Sequence, residues 1–167
     1  QDYLFFGVAE GANAGDSEGP FDNSPFVGLS NPLAPPARME MLADRVVGSV
    51  VCSTAYEGPP GCVHGGVIAG LFDELLGFTQ SLSGRPGMTG RLVVHYRSPT
   101  PLNTELQMEG RLESVSGRKI LCRGWLKAGD TLCAEAEGLF ISLDPERFAA
   151  LRKEREQQVS RSDPAGS

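Results

Sequence analysis

GCVHGGVIAGLFDELLGFTQ, residues 61–80, is the stretch from which the rest of the chain can be read. It follows Glu57-Gly58-Pro59-Pro60, where two prolines remove backbone donors and stop helix and strand alike. Beyond His64-Gly65-Gly66, the residues Val67, Ile68, Leu71, Phe72, Leu75, Leu76 and Phe78 recur at helical spacing. Their side chains cover most of the circumference, which predicts a long helix buried on nearly all sides. One strip differs. Gly66, Gly70, Asp73 and Gly77 fall in a sector about 60° wide, so a bare glycine seam carries a single carboxylate. Glycine inside a helix costs roughly 0.5–1 kcal/mol against alanine, so the seam implies close approach of another backbone or of a ligand.

Around this helix the chain reads as strands and turns. Residues 10–25 are rich in Gly, Asn, Asp and Ser and are expected to form a mobile loop. Residues 25–33 (PFVGLSNPL) are a short apolar segment, expected either to pass over the mouth of a site or to cover an edge. Residues 45–54 have the β-branched density of a strand. Gly84 is expected to stop the helix. Four further strands are expected over residues 89–98, 102–115, 119–128 and 131–143, with hairpin connections at Ser116-Gly117 and Gly129-Asp130. The predicted order is strand, long helix, then a four-stranded antiparallel meander: an α+β fold in which the sheet wraps one helix. Residues 1–24 are expected to be a flexible segment and residues 25–145 the folded domain. Residues 146–167 are expected to be a helix over 146–158 followed by a disordered tail.

Composition narrows the function. At 167 residues the chain is most simply one domain. Its net charge of −6 argues against a nucleic-acid surface, which needs clustered Lys and Arg. Cys52, Cys62, Cys122 and Cys133 form no C-x-x-C pair and read as reduced thiols, hence a cytoplasmic protein. Cys62-x-His64 is half of a metal pattern, but His95 is the only other histidine, so no metal is expected. No segment reaches the roughly 18 apolar residues of a membrane span. No membrane partner is expected either.

The residues Gly58-Pro59-Pro60-Gly61, His64-Gly65-Gly66, Asp73, Met88-Thr89, His95-Tyr96-Arg97, Pro99, Pro101-Leu102, Gly117-Arg118-Lys119 and Glu135 form an ordered series. In order and spacing this series resembles the hotdog-fold acyl-CoA thioesterases, most closely their PaaI-like branch, over about residues 31–145. The resemblance implies a helix wrapped by a sheet, and chains paired as a homodimer or a dimer of dimers. It also implies hydrolysis of acyl-CoA at the interface, with no cofactor beyond the coenzyme A of the substrate. Carried over, Asp73 is the general base or nucleophile, Gly65 and Gly66 give N–H groups to the thioester oxygen, and Thr89 assists water or substrate. His95, Arg97 and Arg118 line the coenzyme A path. Many relatives carry Asn where this chain has Gly58, which leaves open any side-chain help to the oxyanion.

The chemistry can also be argued from the residues. Glycines at a helix start leave N–H groups at the positive end of the macrodipole, a site for a developing oxyanion. Asp73 lies on the same face as Gly66 but about 10 Å farther along the axis. Base and oxyanion donor must each come within about 3 Å of the reacting groups, so one helix cannot supply both to one carbonyl. Two antiparallel helices from two chains can. Asp73 has a structural alternative, a buried carboxylate bonded to loop N–H groups; if desolvated, its pKa is expected to rise. Glu74, a sector away, reads as a salt-bridge or interface residue. His64 either contacts the thioester or bonds its own backbone to hold the turn. Without the resemblance, His95, Arg97 and Arg118 read as solvated cations and Thr89 as structural.

Overall fold

The computed structural model describes residues 24–28, 31–35 and 37–162, so nearly all of the loop expected over residues 10–25 lies outside the described part. The strands are β1 (Arg38–Met41), β2 (Val46–Val51), β3 (Gly87–Tyr96), β4 (Glu105–Ser116), β5 (Lys119–Ala128) and β6 (Thr131–Ser142). The helices are α1 (Gly65–Ser81) and α2 (Pro145–Ser162). The hairpins turn at Gly117 (φ 57°) and Gly129 (φ 57°), left-handed positions that suit glycine. The helix α2 runs to Ser162, past the expected end at 158.

All six strands form one antiparallel sheet in the order β1-β2-β4-β5-β6-β3, wrapped on α1. This corrects the expected four-stranded meander. Of those four strands only β4, β5 and β6 run consecutively, while β3 closes the far edge beside β6 and β2 pairs with β4. The cause lies in the link from β3 to β4. Pro99 and Pro101 cannot form a tight ladder, and the link is instead tied to the loop before α1. Val63 N–H donates to Thr100 O at 2.9 Å, and Cys62 bridges Pro101. The sequence reading also missed β1, a four-residue RMEM strand too short and too charged to show a period.

Ile68, Leu71, Phe72, Leu75 and Leu76 of α1 are buried against Val46, Leu106, Ile120, Leu126 and Phe140 of the sheet. Small residues let the helix sit close. Gly110 of β4 lies opposite Gly124 of β5, and a Cβ at Gly110 would collide with Thr79 Oγ1. A Cβ at Gly124 would come within 3.1–3.3 Å of Leu76, Leu75 and Phe72. The helix is not buried on all sides, however. Gly66 and Asp73 are exposed and Val67, Gly70 and Gly77 are half-buried, so the glycine seam is the face the sheet leaves uncovered.

Candidate functional site

The seam begins at the N-terminus of α1. His64 caps the helix in extended conformation, and its Nδ1 accepts the Gly66 N–H at 2.9 Å. Of the two readings of His64, this is the one in which the side chain holds its own backbone. An acceptor at Nδ1 places the ring proton of the neutral form on Nε2. It also engages one of the two N–H groups expected to face an oxyanion. The Gly65 N–H meets no acceptor among the described residues. The cap loop is fixed by His64 N–H to Tyr56 O (2.8 Å) and by Gly58 N–H to Cys62 O (2.9 Å). From β3, the Tyr96 hydroxyl donates to Gly65 O at 2.8 Å. The sequence reading gave Tyr96 no role, although its strand parity, opposite to that of His95, marked it as pointing toward the helix.

Two turns along, Asp73 accepts a hydrogen bond on Oδ1 from Thr89 Oγ1 at 2.8 Å. These two residues, 16 apart in sequence, are brought together by a bulge. Leu92, Val94 and Tyr96 of β3 face α1, and strict alternation would turn residue 89 to the opposite side. The pairing register jumps between Thr89 and Arg91, so Thr89 lies opposite the core residue Phe140 and faces the helix. Gly90 is the extra residue of the bulge.

The expected desolvation falls on the neighbouring acid. Asp73 is exposed on this chain, whereas Glu74 is half-buried. Burial pushes the Glu74 carboxyl above its usual range, a hydrogen bond from Ser24 acts the other way, and the Asp73 charge adds to the rise. Among the described residues no cation pairs with Glu74.

Segment 24–28 lies across the seam. The Phe26 ring packs on Gly70 so closely that a Cβ there would overlap it, which gives one seam glycine its physical reason. Apart from the helix's own backbone, no heavy atom of the described residues lies within 4 Å of the Cβ position of Gly77.

His95 and Arg97 are on the outer face of the sheet, away from Asp73. His95 lies opposite Glu135 in register, and Arg97 donates to Glu135 Oε1 from Nε at 3.1 Å and from a terminal nitrogen at 2.5 Å. The Arg97 hydrogen bond is the main cause holding the Glu135 carboxyl below its usual range. Arg118 is at the β4–β5 turn, its Nε donating to Ser142 O at 3.2 Å, and Arg85 donates to Gly117 O beside it. The structure therefore groups His64, Gly65, Gly66, Asp73 and Thr89 along one face of α1. It leaves His95, Arg97 and Arg118 outside that group. Burial pushes the Cys122 thiol up to about 12 and raises Cys52, which makes both packing residues rather than nucleophiles. Among the described residues no cluster fit to hold a metal occurs.

No family model matches the chain. The acyl-coenzyme A thioesterase THEM4 of Bos taurus is 38% identical over 93 residues, 54% of this chain and 38% of that relative. The chain thus matches well under half the length of its curated relatives. A solved thioesterase superfamily protein is 45% identical, with a TM-score of 0.68 over 70% of this chain and 62% of the other. A hypothetical thioesterase protein of Streptococcus pneumoniae solved with coenzyme A shares the fold at 17% identity, with a TM-score of 0.60 over 64% of this chain and 87% of the other.

Proposed function

Because the chain is a hotdog domain related to the acyl-CoA thioesterases, we propose that it hydrolyses acyl-CoA thioesters to the free acid and coenzyme A. The observation that carries the reading is the Asp73–Thr89 pair on the face of α1 that the sheet leaves uncovered. Asp73 either takes a proton from the water that attacks the thioester carbon or attacks that carbon itself, the C–S bond breaking to release coenzyme A, and Thr89 orients its carboxylate. Gly65, with its N–H at the helix start, is the oxyanion donor. Gly66 is left a supporting role, since its N–H serves the His64 cap.

Gly65 and Asp73 are eight residues apart, about 12 Å along the helix, so one carbonyl needs Asp73 from one chain and Gly65 from a second. The working unit is therefore a homodimer. The edge strand β3, ten residues long with exposed Met88 and Tyr96, supports pairing of two copies there. On this reading Arg118 and His95 reach the coenzyme A phosphates, while Arg97 serves Glu135 first. The four free cysteines favour a reducing, cytoplasmic setting.

The test is thiol release from acyl-CoAs of short, long and aromatic acyl groups by the protein and by Asp73→Asn. Asparagine keeps the shape and removes the base, so kcat should fall about 100-fold or more. Binding of acyl-CoA without thiol release by the unmodified protein would make this a non-catalytic acyl-CoA module. Hydration of an enoyl-CoA would make it a hotdog hydratase.

A further inference from the structure

We propose that Phe26 sets the acyl size this site accepts, by standing on the seam of α1 next to Asp73. The inference rests on the acyl-thioester reading above and adds the specificity residue.

Gly70 is three residues, about 4.5 Å along the axis, before Asp73, and four residues, about 6 Å, after Gly66. The Phe26 ring therefore stands between the helix start and the carboxylate, on the same strip as both. The ring is half-buried and packs on the edge of the core. Its position is held by a short relay of bonds. Phe26 N–H and Val27 N–H both donate to Ser24 Oγ, at 3.2 and 3.3 Å, and Gly28 N–H donates to Ser24 O at 3.1 Å. Asn31 Nδ2 also reaches Ser24 O, and Tyr56 donates its hydroxyl to Leu33 O at 3.1 Å. Tyr56 is in turn the backbone acceptor that fixes His64 at the cap. The segment carrying Phe26 is thus tied to the loop that starts the helix.

An acyl group bound with its carbonyl at Asp73 has two ways to lie along the strip. Toward Gly70 it meets the Phe26 ring. Toward Gly77, apart from the helix's own backbone, no heavy atom of the described residues lies within 4 Å of the Cβ position. Phe26 closes the direction toward the helix start, so among acyl groups that lie that way it admits short or compact ones and turns long flexible ones away. A smaller side chain at position 26 should uncover the strip from Asp73 to Gly66. A larger one should shorten it further.

The experiment compares the unmodified protein with Phe26→Ala, Phe26→Leu and Phe26→Trp, each first shown by circular dichroism and thermal melting to be folded. Two readouts are taken over butanoyl, octanoyl and dodecanoyl chains: kcat/KM for thiol release, and affinity for non-hydrolysable acyl-CoA thioethers. The ratio of dodecanoyl to butanoyl kcat/KM should rise about 10-fold or more in Phe26→Ala, rise less in Phe26→Leu, and fall in Phe26→Trp. The thioether affinities should follow the same order. A uniform change across chain lengths would overturn the assignment, since it would make Phe26 a fold-supporting residue only. If no thioester is hydrolysed by the unmodified protein, the hydrolase reading falls and the thioethers decide this proposal alone. A chain-length shift in binding on Phe26→Ala upholds it; no shift, or no binding, overturns it.

Discussion

The bond from Thr89 Oγ1 to Asp73 Oδ1 allows the division of labour in the site to be measured. Thr89→Val keeps the shape of the side chain and deletes only the hydroxyl. A hydrogen bond to a charged group is worth about 1.5–3 kcal/mol. Here both partners are exposed on this chain, so water competes and the lower end applies. About 1.4 kcal/mol corresponds to a tenfold effect, the expected loss in kcat/KM for Thr89→Val. Asp73→Asn should lose about 100-fold or more. If Thr89 works only by orienting the Asp73 carboxylate, adding Thr89→Val to Asp73→Asn should cost almost nothing more. Thr89→Ser, which keeps the donor, should retain most activity. The assay is initial-rate thiol release by all four members of the cycle on one acyl-CoA. An equal tenfold loss in both backgrounds would refute the reasoning, because Thr89 would then act on substrate or water without Asp73.

Two further outcomes follow from the cap and from the buried acid. His64→Ala removes the acceptor of the Gly66 N–H and should lower stability by about 0.5–2 kcal/mol in denaturant titrations, whereas His64→Asn should keep most of it; equal losses for both would show that the ring matters for more than its cap. Glu74 keeps its proton to a higher pH when folded than the ordinary 4.5 of an unfolded glutamate. Its contribution is therefore most favourable below that value and declines as pH rises through the window up to the raised pKa. Thermal melts from acidic to neutral pH should show Glu74→Gln flattening that decline, and an unchanged slope would mean that Glu74 is solvated in the protein.

Much of the fold could be read from short-range pattern. The helical period of Val67 to Phe78 and the Gly117 and Gly129 turns each involve only a few neighbouring residues. Local sterics and hydrophobic spacing decide such features. The candidate acid was legible for the same reason, as a carboxylate on a glycine strip. Two contacts bear on alternatives that the residues alone left open: His64 bonds its own backbone, and Phe26, within the segment 25–33, packs on the seam glycine Gly70.

What the sequence by itself determined is that one helix is wrapped by antiparallel strands and carries Asp73 on its thinnest face. Its periods and turns admit little else. Only the tertiary structure decided that β3 closes the sheet beside β6, because strand order depends on pairing between distant residues, and period-2 alternation is the same in every order. It also decided that the Gly90 bulge turns Thr89 toward Asp73, that Phe26 fills the notch at Gly70, and that Glu135 engages Arg97. Each joins residues at least 16 apart in the chain, beyond the reach of any local period.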